Sequence, residues 1–158
     1  DLPKNCGEFT LDRLSKLEKN KGGENSKMVG DELRKVMQDH CGVFRFPDLL
    51  EKGLEDILLI RKKIESIEIK DKSKVFNTAR TEALELSNLI EVAEATIRSA
   101  FSRQESRGAH SRFDFPDRDD VNWLKHSVYN PAEKSMSFRP VNLKPLTVES
   151  FPLKKREY

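Results

Sequence analysis

Residues 76–102 read FNTARTEALELSNLIEVAEATIRSAFS. Leu86, Leu89, Ile90, Ala93, Ile97, Ala100 and Phe101 recur at helical spacing along one face, with Glu82, Glu85, Glu91 and Glu94 mostly opposite. The spacing predicts a helix over about 76–103, and some 26 residues at 1.5 Å rise span on the order of 39 Å. Ala79, Ala83, Ala93, Ala95 and Ala100 let other helices approach it closely. Strict heptads are not sustained, which points to a bundle and away from a coiled coil.

Upstream, the same pattern recurs in shorter lengths. Residues 47–68 begin with Pro47, suited to a first helical turn, and place Leu50, Leu54, Ile57, Leu58 and Ile64 on a buried stripe. Glu51, Lys52, Glu55, Lys62 and Lys63 stay in water, and Gly53 inside the helix implies close approach of a neighbouring backbone. Residues 27–41 put Val29, Leu33, Val36 and Met37 on one face, with His40 ending the helix. Residues 9–20 space Leu11, Leu14 and Leu17 by three, with Thr10 as N-cap and Arg13 and Lys16 in solvent. Gly22-Gly23 reads as a surface loop, Val43 to Phe46 as extended chain, and Asp71 to Lys74 as a polar connection.

Downstream the chemistry changes. Residues 104–120 read QESRGAHSRFDFPDRDD, a charged hinge punctuated by Gly108 and Pro116. After a turn anchored by Trp123, Lys125 to Tyr129 and Ser135 to Arg139 flank a polar turn. The alternation of His126, Val128, Met136 and Phe138 with polar neighbours predicts a β-hairpin over about 125–139. Pro140, Pro145 and Pro152 leave an extended tail. The expected fold is thus mainly α: an antiparallel three-helix bundle with a short N-terminal helix over 1–106, then hinge, hairpin and tail over 104–158.

Composition sets limits on function. The chain is 36% apolar and 35% charged, so its core is thin and many charges face water or a partner. Its 29 basic and 27 acidic residues interleave, which excludes the one-sided basic face of a nucleic-acid binder. The basic run Lys154-Lys155-Arg156 reads as a solvated terminus. No apolar run approaches the roughly 18 residues needed to cross a bilayer. Cys6 and Cys41 supply neither a disulfide framework nor metal spacing, and reduced thiols are expected. The start at Asp1-Leu2-Pro3 reads as a piece of a longer chain.

Catalytic patterns are few. Ser106, His110 and Asp114 lie four apart, but Gly108 and the arginine density break the helix that would align them. Asp117, Asp119 and Asp120 lack the glycine and terminal glutamate of a calcium loop, and local pairing with Arg112 and Arg118 is the simpler expectation. His40 beside Cys41 has no further ligand nearby, and a histidine is common at a helix C-terminus. On residues alone the chain is an interaction or buttressing domain, with a free-standing helical adaptor as one form of it.

The run from Glu105 to Arg112 (ESRGAHSR), the run from Asp114 to Asp120 (DFPDRDD) and Trp123-Leu124 together resemble the C-terminal region of the succinate dehydrogenase and fumarate reductase flavoprotein family. The likeness extends upstream through Phe76-Asn77-Thr78 and Glu85 to Leu89, downstream to the terminal tyrosine, and covers essentially all of the chain. Its wording is nearest to bacterial succinate dehydrogenases; a fumarate reductase or L-aspartate oxidase counterpart is the alternative. The resemblance implies a parent that oxidises succinate through a covalently bound FAD and passes electrons to an iron–sulfur subunit and membrane quinone. It further implies a peripheral subunit on the cytoplasmic face of the bacterial inner membrane. The family's flavin-linking and catalytic residues precede this region, so no catalytic, cofactor-binding or metal residue is carried over, and the piece alone is expected to be inactive. Glu105, Arg107, His110 and Arg112 are the candidates for docking the bundle onto the flavin domain, on the expectation that the bundle itself offers them little to pair with.

Overall fold

Helix α4 (Thr78–Ser102) is the spine of the molecule. Its start is fixed by Asn77, whose side-chain oxygen accepts from the Arg80 N–H at 2.8 Å while its amide donates to the Asp71 and Ser73 carbonyls. The computed structural model describes residues 5–154, so Lys155, Arg156 and Tyr158 lie outside the described residues. Helix α3 (Pro47–Glu65) starts on Pro47, and α2 (Ser26–His40) is capped by Asn25, which accepts from the Met28 N–H at 3.1 Å. These three consecutive helices pack pairwise into a bundle.

The core between them is aliphatic. Val29 and Leu33 from α2, Leu50, Ile57, Ile60 and Ile64 from α3, and Ala83, Leu86, Ile90, Ala93, Ile97 and Ala100 from α4 are all buried. Each fully buried isoleucine or leucine contributes about 1.5–3 kcal/mol from removal of apolar surface alone. The buried stripe on α3 runs through 50, 53, 57, 60 and 64. Leu58, expected inside, is 40% exposed, and Ile60 takes its place. Leu89 and Phe101 likewise sit at the margin of the α4 stripe and remain about as exposed. Gly53 does permit a close approach, but of side chains: a Cβ there would lie 2.5 Å from Ile97 Cδ1 and 2.7 Å from His40 Cβ.

Helix α3 stops at Glu65, three residues before its expected end, because the chain leaves it to pair elsewhere. The Glu24 N–H donates to the Ser66 carbonyl and the Glu68 N–H to the Glu24 carbonyl, bridging Glu24 to Ile67. Gly23 makes this possible, since a Cβ there would sit 1.7 Å from the Ser66 oxygen. The Gly-Gly loop is therefore a backbone contact as well as a surface turn.

Helix α1 (Glu8–Lys19) departs most from expectation. Its N-cap is Gly7, leaving Thr10 inside the helix; Leu17 is buried and Leu11 is exposed. Arg13, expected in solvent, reaches α4 and donates to the Leu84 carbonyl and the Asn88 side chain. A long flexible guanidinium finds acceptors across a short helix that sequence spacing does not reveal.

Two small strand pairs complete the fold. Strand β1 (Phe44–Arg45) pairs in parallel with β2 (Ser111–Arg112), which ties the charged stretch to the α2–α3 loop. Phe46 and Phe113 stack beside that pair with centroids 4.8 Å apart. Strands β3 (Lys125–Asn130) and β4 (Ser135–Pro140) form the expected antiparallel hairpin. Its register sets Ser127 opposite Phe138 and Tyr129 opposite Met136. His126 and Val128 therefore share the opposite face from Met136 and Phe138, and the apolar alternation marked two faces where one was expected. The hairpin packs on α4 with Lys125, Ser127 and Tyr129 turned inward and His126 and Val128 exposed.

Candidate functional site

The charged stretch sits where α4 ends, and the end of α4 explains most of it. A helix leaves its last carbonyls without partners and carries partial negative charge there. The last turn of α4 holds no basic residue of its own. Arg112 supplies the missing charge from ten residues beyond, donating to the Ala100, Phe101 and Arg103 carbonyls at 2.9, 2.8 and 3.3 Å. Its other two nitrogens form a bidentate pair with Asp114 at 2.7 and 2.6 Å. Arg112 is 4% exposed. A planar five-donor group suits this place, and a lysine could not reproduce the fork.

Glu105 is the second centre. Fully buried, it accepts from Arg103, from two Arg107 nitrogens at 2.8 and 3.0 Å, and from the Asp119 N–H at 2.9 Å. Burial pushes its carboxyl up, but the hydrogen bonds from Arg107, the Asp119 amide and Arg103 outweigh that and hold it below the usual carboxylate range. Arg103 continues outward to the Lys125 carbonyl at 2.9 Å and to the Trp123 carbonyl, so the carboxylate, the end of α4 and the hairpin form one network. Arg103 and Lys125 also lie over the Trp123 ring, which meets Phe138 edge-on.

Gly108, at φ +60°, lets the chain reverse between Arg107 and His110, whose backbones exchange both hydrogen bonds. The turn returns His110 to the bundle. There its Nδ1 accepts from Arg45 Nη1 and its Nε2 faces the Arg103 carbonyl at 3.4 Å. Burial, and the neighbouring Arg45, Arg112 and Arg103 charges, push the imidazole below its ordinary pKa. At neutral pH it is an uncharged spacer among guanidiniums.

Further out, Asp120 bridges Arg107 at 2.6 Å and Arg118 at 2.8 and 2.5 Å, and these pairs hold its carboxyl down at about 2. Asp119 spends its carboxylate on the Val121 and Asn122 N–H groups, and Arg112 pairs with Asp114 instead of the aspartates expected for it. Among the described residues no cluster of three metal-ligating side chains occurs. Ser106, His110 and Asp114 are not joined: Ser106 Oγ donates to the Phe115 carbonyl at 2.7 Å and accepts from the Arg112 N–H.

All four docking candidates thus meet around the end of α4, and the expectation that the bundle offers them little is corrected. Helix carbonyls satisfy Arg112, and Arg103 and the Asp119 amide join Arg107 on Glu105. Arg103 and Arg45 are the residues that sequence reading missed. The position of Arg103 just past the helix end was a usable signal; Arg45 had none, because its contact with His110, 65 residues on, depends on the parallel pairing of β1 with β2. Glu94, expected in solvent, is also buried, between Arg61 of α3 and Arg98 one turn on. Burial pushes its carboxyl up, and the pairs with Arg98 and Arg61 bring it below the usual range.

The strand–turn–helix pattern of a dinucleotide-binding fold does not occur among the described residues. The single parallel strand pair is two residues long, and no glycine-rich turn joins a strand to a helix N-terminus.

The family model described as fumarate reductase flavoprotein C-term matches residues 30–158. The chain belongs to this family. It is the C-terminal domain of a flavoprotein of the succinate dehydrogenase and fumarate reductase type, an oxidoreductase family. It is 46% identical over 150 residues to a succinate dehydrogenase flavoprotein subunit from Coxiella burnetii, covering 95% of this chain and 25% of that one. A fumarate reductase flavoprotein subunit from Proteus vulgaris is 44% identical over 124 residues, covering 76% and 21%. Among solved structures, a quinol fumarate reductase from E. coli superposes with a TM-score of 0.80 at 32% identity, covering 96% of this chain and 27% of that one. The chain thus spans about a quarter of the length of these relatives. No helix among the described residues is long and apolar enough to cross a membrane.

Proposed function

We propose that this domain belongs to a succinate dehydrogenase, in which it buttresses the flavin-binding part without touching the reacting atoms. The parent oxidises succinate to fumarate by hydride transfer to covalent FAD; electrons then pass to an iron–sulfur subunit and to quinone at the cytoplasmic face of the inner membrane. The 46% identity to the Coxiella subunit over nearly the whole chain carries this reading. The Proteus match and the E. coli superposition favour a second one, a fumarate reductase. Turnover decides between them: the full-length flavoprotein in its complex should oxidise succinate with an artificial acceptor faster than it reduces fumarate with a low-potential donor. The reverse ratio selects the second reading.

The geometry of the junction supports a docking role for it. Glu105 and Arg112 lie inside and lock hinge, hairpin and bundle together, so they act on docking by keeping the surface rigid. Arg107, with about a quarter of its side chain exposed, and His110 lie nearer that surface. Arg107→Ala in the full-length subunit should lower flavin retention and melting temperature together. Unchanged flavin content and melting would remove the junction from docking.

A further inference from the structure

Beside the junction, an open groove runs between α4 and β3. Val92, which is 62% exposed, Ala95 and Val128, which is 42% exposed, line it together with Glu91, Thr96 and Ser99. Arg45 and His110 also line it. A volume of about 790 Å³ gives room for several side chains, well beyond one ion.

Arg45 differs from every other arginine of the junction. Arg103, Arg107, Arg112 and Arg118 each pair with a carboxylate. Arg45 is half-buried, yet among the described residues its partners are the Gly42 carbonyl and the uncharged His110 ring. Among the described residues its remaining guanidinium nitrogen has no hydrogen-bond partner and no carboxylate forms an ion pair with it. The Tyr129 hydroxyl, which also lines the groove, lies beside the Glu94 carboxylate. A carboxylate that arrives with an apolar surface excluding water would form a charge-assisted pair with this guanidinium, and that complementarity fixes its register.

We propose that the groove between α4 and β3 receives an apolar segment from the flavin-binding part of the same polypeptide, and that an aspartate or glutamate on that segment pairs with Arg45. The occupant follows from charge complementarity and from length. In the relatives most of the polypeptide lies outside the matched quarter, so a large body covalently joined to this domain is at hand to cover it. The inference rests on the docking role proposed above, and adds the site and the charge that fix it.

The test uses the full-length flavoprotein with a labelling cysteine in the groove. Val92→Cys is placed in a Cys6→Ser background, because Cys6 is exposed and Cys41 buried. Maleimide labelling at position 92, read by peptide mass spectrometry so that Cys41 and any cysteine elsewhere in the full-length protein are not counted, should be at least 10-fold slower in the native protein than in denaturant. Adding Arg45→Glu should return the rate to within 2-fold of the denatured value, Arg45→Gln should act partway, and Arg45→Lys should keep most of the protection. Far-UV circular dichroism of each variant shows that the helices are intact; if Arg45→Glu fails this check, Arg45→Gln decides. Slow labelling that ignores all Arg45 substitutions overturns the ion pair and leaves the docking reading standing. Fast labelling of the native parent protein means that the groove is uncovered, and both ideas fall. Protection that appears only as concentration rises, with doubled mass in solution, assigns the groove to a second copy and overturns the proposed occupant.

Discussion

The bundle and the junction beyond it solve the same problem with opposite materials. Between α2, α3 and α4 nearly every buried group is aliphatic, and the exception, Glu94, is clamped by two arginines. Between residues 103 and 120 the buried groups are Glu105 and Arg112, held by hydrogen bonds to charge and to helix carbonyls. Burial of apolar surface has no direction and tolerates repacking. Charge pairing in the interior is directional: its net contribution is small, but removing one partner leaves the other buried and unsatisfied. The bundle therefore supplies stability and the junction supplies a unique arrangement.

Breaking the junction should reveal this first. Arg112→Ala strands three helix-terminal carbonyls and Asp114, and is expected to cost about 3–5 kcal/mol in that region. The only tryptophan, Trp123, lies in the junction and reports on it. In urea, its fluorescence transition should move to lower denaturant than the helical circular dichroism. Coincident transitions that shift together would show one cooperative unit and dissolve the comparison.

A cut in the bundle should behave differently. Ile97→Ala empties a fully buried site on α4 and should cost about 2–5 kcal/mol, with both probes shifting in step. Overfilling is milder. Gly53→Ala gains about 1 kcal/mol of helix propensity. It also forces a Cβ against Ile97 and His40, and overpacking of about 1–3 kcal/mol should leave a net loss in thermal unfolding.

Acid sharpens the contrast. The Glu105 carboxyl is lowered in the fold, so its contribution is complete above the unfolded value of 4.5 and is lost as pH falls through the folded one. Asp114 and Asp120 follow from 3.8, the last of them down to about 2. His110, lowered from 6.5, adds an earlier step: below that pH the unfolded chain takes up a proton that the folded site resists, so stability starts to decline there. On acidification from neutral pH, Trp123 fluorescence should change before helical content does, and His110→Gln should flatten the first part of the slope. The smallest effect is expected from Asp120→Asn: its pairs are exposed, so stability at pH 7 falls only slightly and the acid limb below pH 4 becomes flatter.

Much of the fold was legible because it is local. Helical spacing located α2, α3 and α4 to within a few residues, and the hairpin turn located β3 and β4. What failed were the margins of stripes, as at Leu58 and Leu89, because a one-residue step rotates a side chain by about 100° and only the neighbouring helix decides which side is covered. Arg13 and Glu94 failed for a related reason: a charged residue pointing at another element looks in sequence like one pointing at water.

By itself, then, the order of residues determined the helices, the hairpin, the charged stretch and, through that stretch, the family. It carried these because periodicity, turn chemistry and a long motif are written along the chain. Tertiary structure alone decided that Arg112 caps α4, that Glu105 gathers Arg103 and Arg107, and that Arg45 reaches His110 through a two-residue parallel pair. Those contacts join segments far apart in the chain, and the pairing of charges is settled by distance and burial, neither of which a linear pattern contains.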